Sequence, residues 1–402
     1  MRYDKSKLNI GAYVLQPYAR TEKHIKEIKE CGIDMIIDLD YDLKTLDLFS
    51  KYNLGAIVRG ATPNWWGGNG EAGKLSQINP LDLYDKCAKK FVDHPAIWGI
   101  SIGDEPSALD IPYYGIVLNK VQGLFPNSFP YLNLYPNYAT VAENTQDETV
   151  SQLGTRTYDE YIDVYSKNVP ADYISYDYYV YATKNLAGCL LNYRIVTEAA
   201  RKTGRRFMYI AQVNSSNPAE FTTVNQLRFQ AFSAMSFGAM DISWGCYTAG
   251  WWHHNVLDEK GEKTEQYEKL KLVNHEIKNL APEYMKFRNT NTLLVCFCDE
   301  ISKESGLENT YSFSNGYFID VKSSNALIIG EMTSLDGSDK KALFITVADD
   351  YMDKEPKKSE IVFKSQKKIS LFSKDGKAEI DCCANEYRFT ASSNEGFLIV
   401  AE

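Results

Sequence analysis

The chain has 402 residues, 44% apolar and 24% charged, with 44 Lys and Arg against 53 Asp and Glu, for a formal net charge of −9. Such a length and composition suit an ordinary globular chain of two or three domains. The acidic balance argues against a nucleic-acid partner, and no apolar run approaches the roughly 20 residues that cross a bilayer, so no membrane partner is expected.

The start, MRYDKSKLNIGAY, lacks the apolar core of a signal peptide. The eight cysteines do not follow the spacing of a small disulfide framework. Cys296 and Cys298 stand at i, i+2 in an apolar run, where both would point to one face of a strand, and Cys382 and Cys383 are adjacent. These four are expected as buried, reduced thiols acting as small hydrophobes rather than as a thiolate site. A cytoplasmic setting fits, or a secreted one if a leader has been removed. With only five His, no metal or organic cofactor is expected.

In chain order, short β-branched runs alternate with longer amphipathic ones. Strands are expected over 9–15, 33–39, 54–59, 96–103, 130–134, 172–177, 206–213 and 239–246. Helices are expected over 21–31, 43–52, 81–93, 111–125, 158–168, 186–203, 218–237 and 264–287. Eight strand–helix units over some 280 residues match a (β/α)8 barrel in count and size. An open doubly wound sheet is the rival, but no glycine-rich turn follows an early strand. From about residue 291 the runs shorten (293–297, 317–321, 326–331, 342–347, 360–363, 369–372, 387–390 and 396–400), with turn clusters such as Asp336-Gly337-Ser338 and Asp375-Gly376-Lys377 between them. The expected architecture is α/β, a barrel over 1–289 followed by a small all-β sandwich over 290–402. No Pro/Ser/Gly linker separates them, so they should pack together.

Barrel enzymes build their sites at the C-terminal ends of the strands. Here those ends carry Gln16; Asp38 and Asp40; Arg59 with Trp65 and Trp66; Asp104 and Glu105; Asn133, Tyr135 and Asn137; Asp177, Tyr178 and Tyr179; Gln212 and Asn214; and Trp244, Tyr247, Trp251, Trp252, His253 and His254. Carboxylates, amides and indoles dominate. Rings that stack on sugar faces, amides that bond hydroxyls and paired carboxyl groups are what glycoside hydrolysis requires. The early strand lacks His-x-His for a hydrolytic metal, and no strand ends in a Schiff-base Lys.

The run from His94 to Pro106, HPAIWGISIGDEP, resembles the fourth-strand segment of clan A glycoside hydrolases. DYISYDYY, from Asp172, resembles their sixth strand, and Ile242-Ser243-Trp244 their eighth. That resemblance implies Glu105 as the acid/base and Trp244 as a floor to the sugar subsite. Two positions depart from the pattern. Asp104 stands where the family has Asn, and Gln212 stands where its seventh-strand Glu nucleophile belongs. A neutral amide cannot attack as a carboxylate.

Three partners for Glu105 therefore stay open: Asp177, the favoured one; Asp104, as in substrate-assisted hexosaminidases; and Asp38 or Asp40. The expected activity is cleavage of an O-glycosidic bond in an oligosaccharide or glycoside, with Glu105 as general acid and Asp177 as base or nucleophile. Arg59, Trp65, Trp66, Asp104, Asn133, Tyr135, Tyr179, Gln212, Trp244, Tyr247 and Trp251 are the expected substrate-binding residues. Two bland alternatives stand beside this: Glu105 paired in a salt bridge with Arg59, and a degenerate barrel that binds sugar without cleaving it, which Gln212 favours.

Overall fold

Eight apolar strands, each followed by an amphipathic helix, have one economical arrangement: a parallel sheet closed on itself inside a ring of helices. The computed structural model, which describes residues 2–65, 71–140, 152–348, 351–352 and 354–402, has that arrangement. The strands are β1 (Asn9–Tyr13), β2 (Met35–Asp40), β3 (Gly55–Arg59), β4 (Ile97–Asp104), β5 (Phe129–Asn133), β6 (Tyr173–Asp177), β7 (Arg206–Gln212) and β8 (Ala239–Gly245). They pair in parallel in the order β5-β4-β3-β2-β1-β8-β7-β6. The ring closes just past β5, where Leu134 donates its N–H to the Ser175 carbonyl of β6 at 2.9 Å.

Local signals fix most helix starts. Thr21 caps the helix Glu22–Glu30, and Thr157 and Thr223 form capping boxes with Glu160 and Gln226. The second capping box corrects one expectation: the helix expected over 218–237 is Val224–Ser236, because Thr223 is its cap and the Pro218 segment is loop. The helix expected over 81–93 stops at Ala88. Two short helices inside βα loops, Leu75–Ile78 and Val180–Thr183, lie outside the expected elements because they are too short to show a period.

The C-terminal region holds β9 (Phe287–Val295), β10 (Asn309–Thr310), β11 (Ile319–Ser323), β12 (Leu327–Ser334), β13 (Lys341–Val347), β14 (Lys358–Lys364), β15 (Ile369–Ser373), β16 (Gly376–Ala378), β17 (Asp381–Cys383), β18 (Glu386–Ser392) and β19 (Gly396–Ala401). They form a seven-stranded sheet, β10-β9-β12-β13-β19-β15-β16, and a four-stranded sheet, β11-β14-β18-β17. One helix, Asp299–Ser305, interrupts what was expected to be strand only.

The larger sheet is buried on both faces, and the two-residue alternation of β13 shows how. Ala342 and Phe344 join the barrel core, while Leu343, Ile345 and Val347 join the core shared with the smaller sheet. Close approach makes the expected interface tight. A Cβ on Gly330 would lie 2.0 Å from the Ser236 carbonyl, and one on Gly396 would meet the Phe232 ring at 2.7 Å. Ser236 and Thr346 hydrogen bond across it at 2.9 Å.

The burial expected of Cys296, Cys298, Cys382 and Cys383 is not found. Cys31, Cys189 and Cys246 are buried, but Cys296, Cys298, Cys382 and Cys383 are exposed. β9 ends at Val295, so Cys296 and Cys298 lie beyond the strand they were expected to share. Cys382 and Cys383 sit on β17, at the edge of the smaller sheet. No helix among the described residues is long and apolar enough to cross a membrane.

Candidate active site

Parallel strands deliver their last side chains to one rim. There, β1 to β4 surround a cavity of about 580 Å³ lined by Tyr13, Asp38, Asp40, Arg59, Trp65, Asp104 and Glu105, among others. Two of these carboxylates sit on strained backbone. Asp38 has φ of 61° at a register shift between β2 and β3, and Glu105 has φ of 45° directly after β4. Left-handed φ is costly for a residue with a Cβ, so the surroundings must hold it. For Glu105, the N–H is held by the Asn133 carbonyl at 2.9 Å. The turn also breaks the strand's alternation, so Asp104 and Glu105 line the cavity together.

The electrostatics divide the cavity in two. On one side Arg59 bonds Asp38 at 2.8 Å and Asp40 at 2.6 Å, and Arg20 holds the other oxygen of Asp40 at 2.7 Å. Arg59 therefore does not pair with Glu105, which removes the salt-bridge alternative for that residue. On the other side stand Asp104 and Glu105, with Asp177 close enough for its charge to act on both, and no salt bridge to any of them occurs among the described residues. Burial raises the pKa of all three. For Glu105, the furthest raised, the charges of Asp177 and then Asp104 add to burial. Asp104 is reached from the cavity yet walled by protein; burial and Asp177 raise it, and a hydrogen bond from Asn133 pulls it back. Asp177 is only 6% exposed. Its Oδ1 accepts from Asn133 Nδ2 at 2.7 Å, and Tyr179 also bonds it.

Comparison with known proteins bears on the fold alone. The chain resembles an alpha-amylase from Anoxybacillus with a TM-score of 0.54 at 9% identity, over 100% of this chain and 99% of that one. An alpha-amylase from Geobacillus thermoleovorans, complexed with acarbose, gives 0.53 at 9% identity over the whole of both chains. Alpha-L-fucosidase isoenzyme 2 from Paenibacillus thiaminolyticus gives 0.52 at 9%, again over the whole of both. The fold shared with these proteins is the (β/α)8 barrel followed by an all-β region. No protein-family model and no curated protein sequence matches the chain.

The expected binding residues separate into three groups. Arg59, Trp65 and Asp104 line the cavity. Asn133 and Tyr179 are buried behind it and hold Asp177, and Tyr179 also packs against Trp251 and Trp252, with ring centroids at 6.2 and 4.9 Å. Trp251 in turn meets the Tyr13 ring at 5.8 Å. Tyr135 is buried against Tyr161.

The remaining expectations need correction. Trp244 is fully buried and its Nε1 donates to Asn274 Oδ1 at 2.8 Å, so it faces the outer helix Glu265–Tyr284 and cannot floor a sugar. Tyr247 is buried among Cys31, Tyr267 and Glu27. Gln212 is buried, with its Nε2 donating to the Asn214 carbonyl at 2.9 Å. Trp66 lies outside the described residues.

Tyr13 was missed. The first strand was expected to run to residue 15, which put Gln16 at its end; the strand stops at Tyr13, and Gln16 instead bonds the Ala249 carbonyl at 2.8 Å. The signal available was the aromatic residue closing NIGAY. Tyr138, half-exposed in the fifth βα loop, is a further residue absent from the expected site; it lies close enough to Asp177 and Glu105 to feel both charges.

Proposed function

We propose that the chain is a glycosidase that cleaves an O-glycosidic bond with Glu105 as general acid. The observation that carries this reading is the trio of carboxyl groups at the barrel mouth, with no basic partner among the described residues, in which Glu105 is the most strongly raised. A general acid must hold its proton at working pH, and burial beside like charges is how a carboxyl does so. Glu105 donates that proton to the departing glycosidic oxygen as the bond to the anomeric carbon breaks. The oxocarbenium-like charge that develops is stabilised by the neighbouring carboxylates. Trp65 supplies an apolar wall at the cavity, while Arg59 with its two aspartates presents oxygens and N–H groups to sugar hydroxyls. The fold shared with the two amylases and the fucosidase supports the same reading. No step requires a metal or an organic cofactor.

The second carboxyl has two assignments. In the first, Asp177 is base or nucleophile, reaching the anomeric centre from β6. In the second, Asp104 orients a substrate group that itself attacks, which implies a 2-acetamido sugar. The exposure of Asp104 to the cavity, set against the near-complete burial and bonding of Asp177, is the observation that favours the second.

Purified protein assayed against a panel of aryl glycosides, with and without a 2-acetamido group, tests both. Turnover abolished by Glu105→Gln supports the glycosidase. Sugar binding without turnover, unaffected by Glu105→Gln, overturns it in favour of a carbohydrate-binding barrel.

A further inference from the structure

At the opposite end of the barrel, a small cavity of about 110 Å³ is lined by four arginines, Arg201, Arg205, Arg206 and Arg288, and by no Asp or Glu. In a chain of net charge −9, four guanidinium groups around a space of that size call for a counter-charge. Among the described residues, only one of the four has it in a salt bridge. Arg206 is committed to Asp241 at 2.7 Å. Arg201 donates to the neutral Asn289 Oδ1 at 3.0 Å; burial works against its charge, and Glu198 is the one carboxylate that opposes this. Arg205 gives Nη2 to two carbonyls, of Ser166 and Val169, at 2.9 Å each, while its Nη1 is buried without a partner. Arg288, exposed on β9, pairs with no carboxylate among the described residues. A buried donor left unbonded is costly, and neighbouring uncompensated cations repel.

We propose that this cavity is a binding site for a phosphate- or sulfate-sized oxyanion. Guanidinium groups match such ions in both charge and fork geometry, and the volume suits one tetrahedral ion with its hydration rather than a sugar. The residues come from three places: the end of the helix Leu186–Thr203, the start of β7, and β9 of the C-terminal region. A bound anion therefore ties the base of the barrel to the C-terminal sheet, far along the strands from the carboxylate mouth. The site is independent of the proposed glycosidase activity.

Calorimetric titration of the full chain with inorganic phosphate, at ionic strength held constant with chloride, tests the proposal. Saturable single-site binding is expected, with a thermal midpoint that climbs as phosphate is added, because a ligand held only by the folded state stabilises it. The double variant Arg201→Gln/Arg288→Gln should bind phosphate at least about tenfold more weakly, the loss of charge-assisted hydrogen bonds. Its midpoint in chloride alone should be no lower than that of the parent, because two repelling cations are removed, which separates lost binding from lost folding. A hexose 6-phosphate in a parallel titration distinguishes the source. Binding as tight as that of free phosphate supports a phosphoryl headgroup, and binding of free phosphate alone supports the inorganic ion. No saturable binding of either, or phosphate binding unchanged in the double variant, overturns the site.

Discussion

The two ends of the barrel handle buried carboxylates in opposite ways. At the base, Asp241 is 1% exposed and every oxygen is satisfied. Arg206 bonds Oδ2 through Nη2 at 2.7 Å and Nε at 3.0 Å, the Tyr3 hydroxyl donates to Oδ2 at 2.8 Å, and Asn9 donates to Oδ1 at 3.0 Å. At the mouth, Asp177 is buried while Asp104 and Glu105 open on the cavity, and among the described residues none of the three has a cation for a partner. A carboxylate on β8 thus serves stability at one end, while those at the ends of β4 and β6 are left under electrostatic tension at the other. Tension of that kind is expected where a proton must be held for chemistry.

The sharpest break of this contrast is Glu105→Gln. At the mouth the substitution should lower kcat on an aryl glycoside with a poor leaving group by about 10²–10⁴-fold, the range of general acid catalysis. Stability should move the other way, because a like charge is removed. The sign follows from linkage. The mouth carboxyls have folded-state pKa values above their unfolded ones, so their contribution is fully present below the ordinary carboxyl range and is lost as pH rises through the raised values. The thermal midpoint of the parent should therefore fall as pH rises above about 4, and that of the Glu105→Gln variant should fall less steeply.

At the base the corresponding change is Asp241→Asn. The variant strands Arg206 in a buried position beside three backbone carbonyls, and should cost about 3–5 kcal/mol in urea unfolding, with kcat of the surviving folded protein unchanged. Equal stability losses from Asp241→Asn and Glu105→Gln would dissolve the distinction between the two ends.

Asp177→Asn sharpens the reading within the mouth. Asp177 is the leading charge that raises Glu105, so its removal should move the alkaline limb of the kcat/KM profile down by roughly one pH unit. If Asp177 is base or nucleophile, kcat also falls by orders of magnitude. If Asp104 orients an attacking substrate group, the limb shifts while most of kcat survives, and Asp104→Asn takes the large loss instead.

The barrel was legible because its period is. Eight β-branched runs and capped helices, such as those begun by Thr21 and Thr157, carry their assignment within about 20 residues. Glu105 was legible for the same reason, as a strand end in a specific motif. What could not be read was which way a residue near the rim turns. Trp244 and Asp241 stand three apart on β8, so alternation sends them to opposite faces; that Trp244 is the one turned to the outer helix rests on its partner Asn274, a contact made across the fold. Tyr13 was missed because the end of β1 depends on where β2 and β8 stop pairing with it, a tertiary fact. The exposure of Cys382 and Cys383 likewise depends on β17 lying at a sheet edge.

Arg59 lies between the two regimes and gives the smallest effect. It is paired like Arg206, with Asp38 and Asp40, but at the mouth, where its side chain is 50% exposed. Water screens what it screens poorly at the base, so Arg59→Met should cost about 1 kcal/mol or less in unfolding free energy. The consequence for Asp38 is electrostatic. Burial already raises that carboxyl and Arg59 opposes the rise, so without the guanidinium Asp38 holds its proton to higher pH. Substrate affinity should weaken as a sugar-facing donor is lost, read as a higher KM with kcat nearly unchanged. A stability loss as large as that of Asp241→Asn would show that Arg59 is a structural ion pair placed at the mouth by accident of the barrel. A change confined to KM would mark it as part of the surface that meets the sugar.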